Sequence, residues 1–223
     1  YPSAFRFMPH RDESLEPENL HPNPIAIDYL AGNAGVRQYS MQMEFDENAM
    51  LQGRFFLSTK RSQMSGSAQE HIPPRDETPF FLQLSLNHPH EPFHVQQKYW
   101  DLYEGVDIPI PEIPDDLERH LTAYDRSLIK LHGSDRIDVA APENLRELHR
   151  AYLAAVSYID EKLGELRAML DEFGLAENTI ILFLSDHGDM LGHRSMVHKR
   201  VFYEHSSRIP FILYTPPEFR RGT

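Results

Sequence analysis

Residues 185–188 (SDHG) place a carboxylate beside an imidazole, directly after the apolar run of residues 179–184. Neighbouring side chains on a strand point to opposite faces, but beyond the strand the backbone can turn at Gly188, so that Asp186 and His187 converge. Together they are typical ligands of a divalent metal. Oxygen-rich surroundings favour Ca²⁺ or Mg²⁺, whereas histidine favours manganese, iron or zinc. Two ligands are too few, so others must come from elsewhere; the alternative is an aspartate that caps a turn beside a packed histidine.

Residues 87–92 (NHPHEP) form a second polar segment after an apolar run. Two prolines hold His88 and His90 in fixed directions, and a fixed imidazole can protonate a leaving oxygen or donate a hydrogen bond to an anionic one. Further along, Lys199 offers an ammonium group that could hold a doubly charged oxyanion beside a metal. Taken singly, the histidines could be solvated and the lysine could be a surface charge. Together with the SDHG segment, they indicate a site for an anionic ester.

Two helices are predicted from apolar residues that recur every three or four positions. The clearer one covers residues 142–173, with a proline in its first turn and Gly174 as a left-handed stop. A more ragged apolar face, with acidic residues at its start, predicts a helix over residues 44–62. We expect residues 1–43 to be irregular and residues 62–79 to form a polar loop.

Three short apolar runs predict strands at residues 80–86, 179–184 and 209–214. The first, bounded by polar residues and proline, is expected to be buried on both faces as in a parallel sheet. The predicted order is a strand, a long connection over residues 92–142, a helix and a second strand. This is the order of a βαβ unit. It predicts an α/β fold with a mostly parallel sheet and helices on both faces. Because ligands of such sheets bind beyond the carboxyl ends of strands, the two polar segments should face one another.

The composition excludes several classes of protein. Among 223 residues, 40% are hydrophobic and 25% charged, which is typical of a globular domain. A net charge of −12 argues against binding of a nucleic-acid backbone, and no apolar run approaches the roughly 20 residues that span a bilayer. The lack of cysteine excludes disulfides and thiolate nucleophiles but suits cytosol and export equally. Tyr1 is not an initiator methionine, so we expect sequence upstream of it, and a homo-oligomer is left open.

These segments, in this order, resemble the sulfatase family within the alkaline-phosphatase-like superfamily. SDHGDMLGH is similar to the family's metal segment, HPHEP to its histidine-proline loop, and HKRVFYEHSSRIPFIL to its later lysine segment. HPHEPFHVQQKYWDLY most resembles choline-sulfatases, and phosphonate monoester hydrolases carry similar segments. The resemblance is strong over about residues 80–215 and loose over 36–60.

The resemblance implies roles for four residues. Asp186 and His187 would be metal ligands; the family's usual ion is calcium, and the histidine leaves manganese open. His90 would contact the sulfate and help to protonate the leaving alcohol, and Lys199 would bind a sulfate oxygen. The resemblance does not carry a comparable role to His88.

The sequence departs from the family pattern at the nucleophile. The family uses a formylglycine made from Cys/Ser-x-Pro-x-Arg, but this sequence has no cysteine and no Ser-x-Pro-x-Arg. The paired acids of the family's first strand are also missing. We therefore expect residues 1–223 to be a partial catalytic domain and an interior fragment, inactive alone. It would comprise an irregular segment, helix and loop (1–79) and a sheet core with the metal segment (80–223).

Three functions remain open at this stage. The first is hydrolysis of a small sulfate ester, for which choline sulfate is a candidate. Tyr99, Trp100 and Tyr103 could face a quaternary ammonium through cation–π attraction, although plain packing of these aromatics is the favoured interpretation. The second is hydrolysis of a phosphonate or phosphate monoester by the same kind of site. The third is a noncatalytic module that at most binds a metal or an anion.

Overall fold

The computed structural model describes residues 34–60, 78–132, 134 and 138–220. Most of the predicted irregular segment and nearly all of the predicted polar loop lie outside these ranges. The described elements are, in chain order, β1 (Gly35–Val36), α1 (Met41–Lys60), β2 (His94–Val95), α2 (Gln97–Trp100), α3 (Leu117–His120), α4 (Ala123–His132), α5 (Pro142–Glu172), β3 (Ile181–Leu184), α6 (Glu204–Ser207) and β4 (Phe211–Tyr214). Among the helices within these ranges, no stretch is both long and apolar enough to cross a membrane.

Helix α5 is the support on which the other elements pack, and its prediction is confirmed. Pro142 occupies the first turn, where a missing N–H costs nothing. At the other end Gly174 adopts φ +66°, and the next residue, Leu175, donates its N–H to the carbonyl of Leu170 at 2.8 Å. The inner stripe is fully buried, with Leu148 and the alanines around it at 0% exposure. Small residues on this stripe let the neighbouring chain approach closely.

Helix α1 starts three residues earlier than its acidic positions indicated. Ser40 caps it, since the N–H of Met43 donates to Ser40 Oγ at 3.2 Å. Its buried face includes Met50 and Leu57, which belong to a core cluster shared with the C-terminal end of α5. The same buried face carries one carboxylate, Asp46, at 0% exposure.

The prediction of a strand buried on both faces at residues 80–86 is wrong. The segment pairs with no strand among the described residues. Its even-numbered residues pack on the cluster of α1 and α5, whereas the odd-numbered ones face outward, with Phe81 91% exposed. The reason is that helices cover only one side of the segment, and a period of two then separates packed from open positions.

The other two predicted strands are confirmed as β3 and β4, but they pair antiparallel. Ile181 lies opposite Tyr214, and Leu184 opposite Phe211. The connection between them holds only short helical turns, so the chain returns beside β3 without the crossover that a parallel pair requires. A parallel ladder does join β1 to β2, over two residues.

Candidate active site

A buried carboxylate–imidazole pair anchors the loop of residues 87–92. Asp46 Oδ2 lies 2.6 Å from His88 Nδ1, and both side chains have no exposed surface. The carboxylate also accepts the backbone N–H groups of Asn87 and His88. On the other side of the ring, Nε2 lies 2.7 Å from the carbonyl oxygen of His94 and must donate to it, because a carbonyl only accepts. Both ring nitrogens of His88 are therefore used in holding the loop, and none faces a substrate.

The loop's backbone is held from α1 as well. Gln42 donates from its side-chain amide to the carbonyl oxygens of His90, at 3.0 Å, and Glu91. Anchored at both ends, the loop aims the side chains of His90 and Glu91 at the segment around Lys199. Rigid placement of this kind is what a group that must meet a substrate needs.

His90 and Lys199, 109 residues apart in the chain, meet in this structure. Lys199 Nζ lies 2.7 Å from His90 Nε2. Because an ammonium only donates, Nε2 accepts this bond and Nδ1 carries the hydrogen, which faces Glu91 Oε2 at 3.0 Å. The Glu91 carboxylate raises the pKa of His90, while burial and the charge of Lys199 oppose that shift.

Lys199 is not a solvated surface charge. Its side chain is 20% exposed, and its ammonium lies 3.3 Å from Glu91 Oε2. The alternative of a solvated surface lysine does not describe this position, and the cation lies beside the imidazole that the sequence singled out. An anion that bound here would replace the direct contact of the two nitrogens, and the ammonium and the protonated imidazole could then each donate to one of its oxygens.

Asp186 and His187 lie beyond β3 and are more open. The side chain of Asp186 is 86% exposed and that of His187 36%, and Asp186 Oδ2 lies 3.6 Å from His187 Nε2. Within the described ranges, their hydrogen bonds stay inside residues 185–188 and do not reach His90 or Lys199.

The orientation of His187 suits a metal ligand. Its Nδ1 lies 2.7 Å from the carbonyl oxygen of Gly188, so Nδ1 carries the hydrogen and Nε2 presents its lone pair. A backbone carbonyl that fixes the ring in this way is typical of metal-ligating histidines. The donor atoms of the two residues are close enough to share one ion.

Gly188 also allows a close backbone approach that the sequence analysis did not predict. A Cβ at this position would lie 2.1 Å from the carbonyl oxygen of His205, and the Gly188 N–H donates to the Ser206 carbonyl at 2.8 Å. Glycine is therefore needed here for the close approach of two backbones. This contact fixes residues 185–188 against the chain around α6.

Sequence reasoning missed three residues next to this site: Glu91, Asp189 and His198. Glu91 Oε1 lies 3.1 Å from His198 Nδ1, and Asp189 Oδ1 accepts the N–H of His198 at 3.1 Å. Each residue offers one ligand atom, and these atoms lie within 4.8 Å of one another. The available signal was position, since Glu91 follows His90 and His198 precedes Lys199.

The charges of these residues are strongly coupled. Burial alone would raise the pKa of Glu91, but hydrogen bonds from His198 and His90 and the charge of Lys199 hold it well below its usual range. Burial raises the pKa of Asp189. Two carboxylates and the cations around them therefore share one confined space.

The aromatic residues after the loop pack in the core, which confirms the favoured interpretation. Tyr99 is 3% exposed, and Trp100 and Tyr103 pack against the same cluster. The guanidinium of Arg150 lies 4.4 Å from the Trp100 ring centroid, and Tyr103 bonds to Ser157 at 2.8 Å. The Trp100 ring and the Tyr103 hydroxyl therefore already have partners within the protein.

Comparisons with known proteins identify the family. The family model named Sulfatase matches residues 28–223. The choline-sulfatase of Rhizobium meliloti (strain 1021) is 35% identical over 183 residues, which are 82% of this chain and 34% of that protein. The chain belongs to the sulfatase family, as the motifs indicated.

Solved structures support the α/β, alkaline-phosphatase-like fold. The protein yidJ of Bacteroides fragilis, described as a sulfatase, is 26% identical with a TM-score of 0.53, over 77% of this chain and 31% of that chain. The phosphonate monoester hydrolase of Agrobacterium radiobacter has a TM-score of 0.65 at 21% identity, over 90% of this chain and 39% of that one. The chain thus spans between 31% and 39% of the length of these relatives.

Proposed function

We propose that the intact protein is a metal-dependent sulfuric ester hydrolase, and that this chain supplies part of its sulfate site. The observation that carries the proposal is the contact of Lys199 Nζ with His90 Nε2 at 2.7 Å. The two groups come from the two segments that resemble the family's sulfate-binding segments. The buried Asp46–His88 pair anchors the loop that carries His90 and so holds His90 in position beside Lys199.

In this proposal Lys199 binds a sulfate oxygen as a fixed point charge. In its protonated form, with Nε2 released from Lys199, His90 contacts the same sulfate and donates its Nε2 proton to the oxygen of the leaving alcohol, so that the alcohol departs neutral. Glu91 favours this role because it raises the pKa of His90 and thereby helps the ring to keep a proton. The formylglycine nucleophile of the family would come from a residue that is not among these 223.

Asp186 and His187 are proposed as ligands of one divalent ion. Their geometry fits, since His187 presents Nε2 and the Asp186 carboxylate is open beside it. Calcium is the ion that the family resemblance favours, and the imidazole ligand leaves manganese open. When bound, the ion supplies positive charge that stabilises the oxyanion of the sulfate.

The substrate is proposed to be a small sulfate ester. Choline sulfate is the specific candidate, on the strength of the choline-sulfatase relative. Tyr99, Trp100 and Tyr103 pack in the core and do not support choline binding, so a choline subsite would need other residues. The second candidate, phosphonate or phosphate monoester hydrolysis, is favoured by the likeness to phosphonate monoester hydrolase, because both substrates present a tetrahedral oxyanion.

The test is a steady-state comparison of Lys199→Ala with Lys98→Ala in the intact protein. Lys98 is an exposed lysine paired with Glu161 and serves as a matched control. We expect Lys199→Ala to lower kcat/KM for a sulfate ester at least about 100-fold, the size of a lost charge-assisted contact in the transition state, and Lys98→Ala to leave it unchanged. An unaltered kcat/KM in Lys199→Ala would reject the proposal. A higher kcat/KM for phosphonate esters than for sulfate esters in the unaltered protein would favour the second candidate.

A further inference from the structure

Glu91, Asp189 and His198 have the separations of ligands around one ion. Their ligand atoms lie within 4.8 Å of one another, and Glu91 Oε1 is 3.1 Å from His198 Nδ1. Two metal–ligand bonds of about 2.0–2.2 Å, set at tetrahedral or octahedral angles, separate their ligand atoms by about 2.8–3.6 Å. An ion that bound here would replace the hydrogen bond between His198 Nδ1 and Glu91 Oε1, and the imidazole would give up that proton as the ion binds.

The three side chains are withdrawn from water. The Glu91 side chain is 13% exposed and that of His198 4%. Two carboxylates that share such a space repel one another, and a cation placed between them removes that repulsion. Lys199 faces the other oxygen of Glu91, Oε2, so its ammonium lies on the far side of this carboxylate.

The ligands are also held in place by the backbone. Asp189 Oδ1 accepts the N–H groups of Leu191 and His198, at 2.9 and 3.1 Å. The N–H of Met190 donates to the carbonyl of His198 at 2.6 Å, which closes the loop between the two ligands. The ring of His132 packs 4.5 Å from that of His198. Such support fixes the ligands before an ion arrives.

We propose that Glu91, Asp189 and His198 form a second divalent-cation site, separate from the Asp186–His187 pair. One imidazole and two carboxylates favour Zn²⁺ or Mn²⁺ over Ca²⁺, because calcium prefers six or more oxygen ligands. An ion here would draw the Glu91 carboxylate away from Lys199 and His90. The second site would thereby adjust the two groups proposed to hold the sulfate.

The experiment measures metal content without turnover. The Asp186→Ala variant of the intact protein, in which the first site is disabled, is dialysed against Zn²⁺ or Mn²⁺ and analysed for bound metal. We expect about one equivalent to remain, and adding Glu91→Gln or His198→Gln to weaken its binding by about 10–100-fold. The matched controls Glu104→Gln and His120→Gln change exposed residues away from the cluster and should leave the metal bound.

A second measurement covers the case in which the cluster variants fail to fold. In the Asp186→Ala background alone, Mn²⁺ should broaden the ring proton signals of His198 and His132 before those of His120. Absence of bound metal in this background, equal retention by the cluster and control variants, or equal broadening of all three histidines would overturn the second site. None of these results bears on Lys199 in ester hydrolysis, so failure of this inference and failure of the proposed function are distinguishable.

Discussion

Two of the aspartate–histidine pairs among the described residues share residue types and differ in surroundings. In the first, Asp46 and His88 lie 2.6 Å apart with no exposed surface. In the second, Asp186 and His187 lie 3.6 Å apart, with side chains 86% and 36% exposed. Burial of the first pair forces every polar atom into an internal hydrogen bond, whereas the open pair keeps lone pairs available for an ion.

The difference teaches that residue type alone does not assign a role to a histidine in this fold. His88 and His90 stand two positions apart in one loop, but His88 is an anchor and His90 meets Lys199. The bonding partner determines the role of each histidine. His88 bonds to the buried carboxylate of Asp46, whereas His90 bonds to the ammonium of Lys199. Exposure leaves the Asp186–His187 pair open to an ion, but its place after β3 is what makes it the candidate metal site, since Asp116 and His120 form another exposed pair.

The largest expected effect comes from breaking the buried pair. Asp46→Ala leaves the His88 ring and two backbone N–H groups without their acceptor, so we expect the free energy of unfolding to fall by about 3–5 kcal/mol. Asp186→Ala, at the exposed pair, should change it by less than about 0.5 kcal/mol. Urea unfolding of both variants checks this, and equal losses would contradict the distinction between the pairs.

At the exposed Asp186–His187 pair, the expected effect is on metal affinity rather than on the free energy of unfolding. Asp186→Ala should weaken binding of the divalent ion at the first site by about 100-fold, because a charged ligand is lost. Calorimetric titration of the intact protein with Ca²⁺ measures it. A Ca²⁺ affinity equal to that of the unaltered protein would remove Asp186 from the ligand set.

Two glycines offer a matched test of how the open pair is fixed. Gly188→Ala places a Cβ 2.1 Å from the His205 carbonyl, so we expect a loss of about 1–3 kcal/mol in the free energy of unfolding. At Gly164 in α5 a Cβ meets nothing within 4 Å, and Gly164→Ala should add about 0.5–1 kcal/mol. The two changes should therefore shift the melting temperature in opposite directions, and a shift of the same sign would show that the backbone contact at Gly188 is not tight.

The smallest expected effect is a dependence of folding stability on pH at His193. His193 stacks on His205 with ring centroids 3.4 Å apart, and burial, with the charge of His205, lowers the pKa of His193 to about 4. Between about pH 6.5 and pH 4 the unfolded chain binds more protons at this residue, so stability is full above pH 6.5 and falls with pH through that window. Solvent screening limits the loss to about 1–2 kcal/mol. His193→Gln should flatten this part of the stability profile, and an unchanged slope would contradict the assignment.

Periodicity predicted the elements that local sequence controls. Helix α5 and strands β3 and β4 were placed within two residues of their observed ends, because their apolar patterns match what they pack against. The run at residues 80–86 was misread, since its composition does not reveal that only one side meets helices. The antiparallel pairing of β3 and β4 depends on the path of residues 185–210, which no periodicity encodes.

The candidate site was predicted in part for the same reason. Local motifs picked out His90, Lys199 and the SDHG segment, and the structure brings the first two together. Asp46 and Glu91 were missed as partners because their contacts, to His88 and His198, join residues 42 and 107 positions apart in the chain. Such pairings arise from tertiary packing and leave no spacing signal.

The central claim, that Lys199 and the Asp186–His187 metal serve one sulfate site, is tested most directly by calorimetric binding of inorganic sulfate to the intact protein. With Ca²⁺ present we expect sulfate to bind, with an affinity at least about 10-fold lower after chelation of the metal and at least about 10-fold lower in Lys199→Ala. Lys98→Ala should bind sulfate as the unaltered protein does. Sulfate affinity that is indifferent both to the metal and to Lys199 would contradict the account.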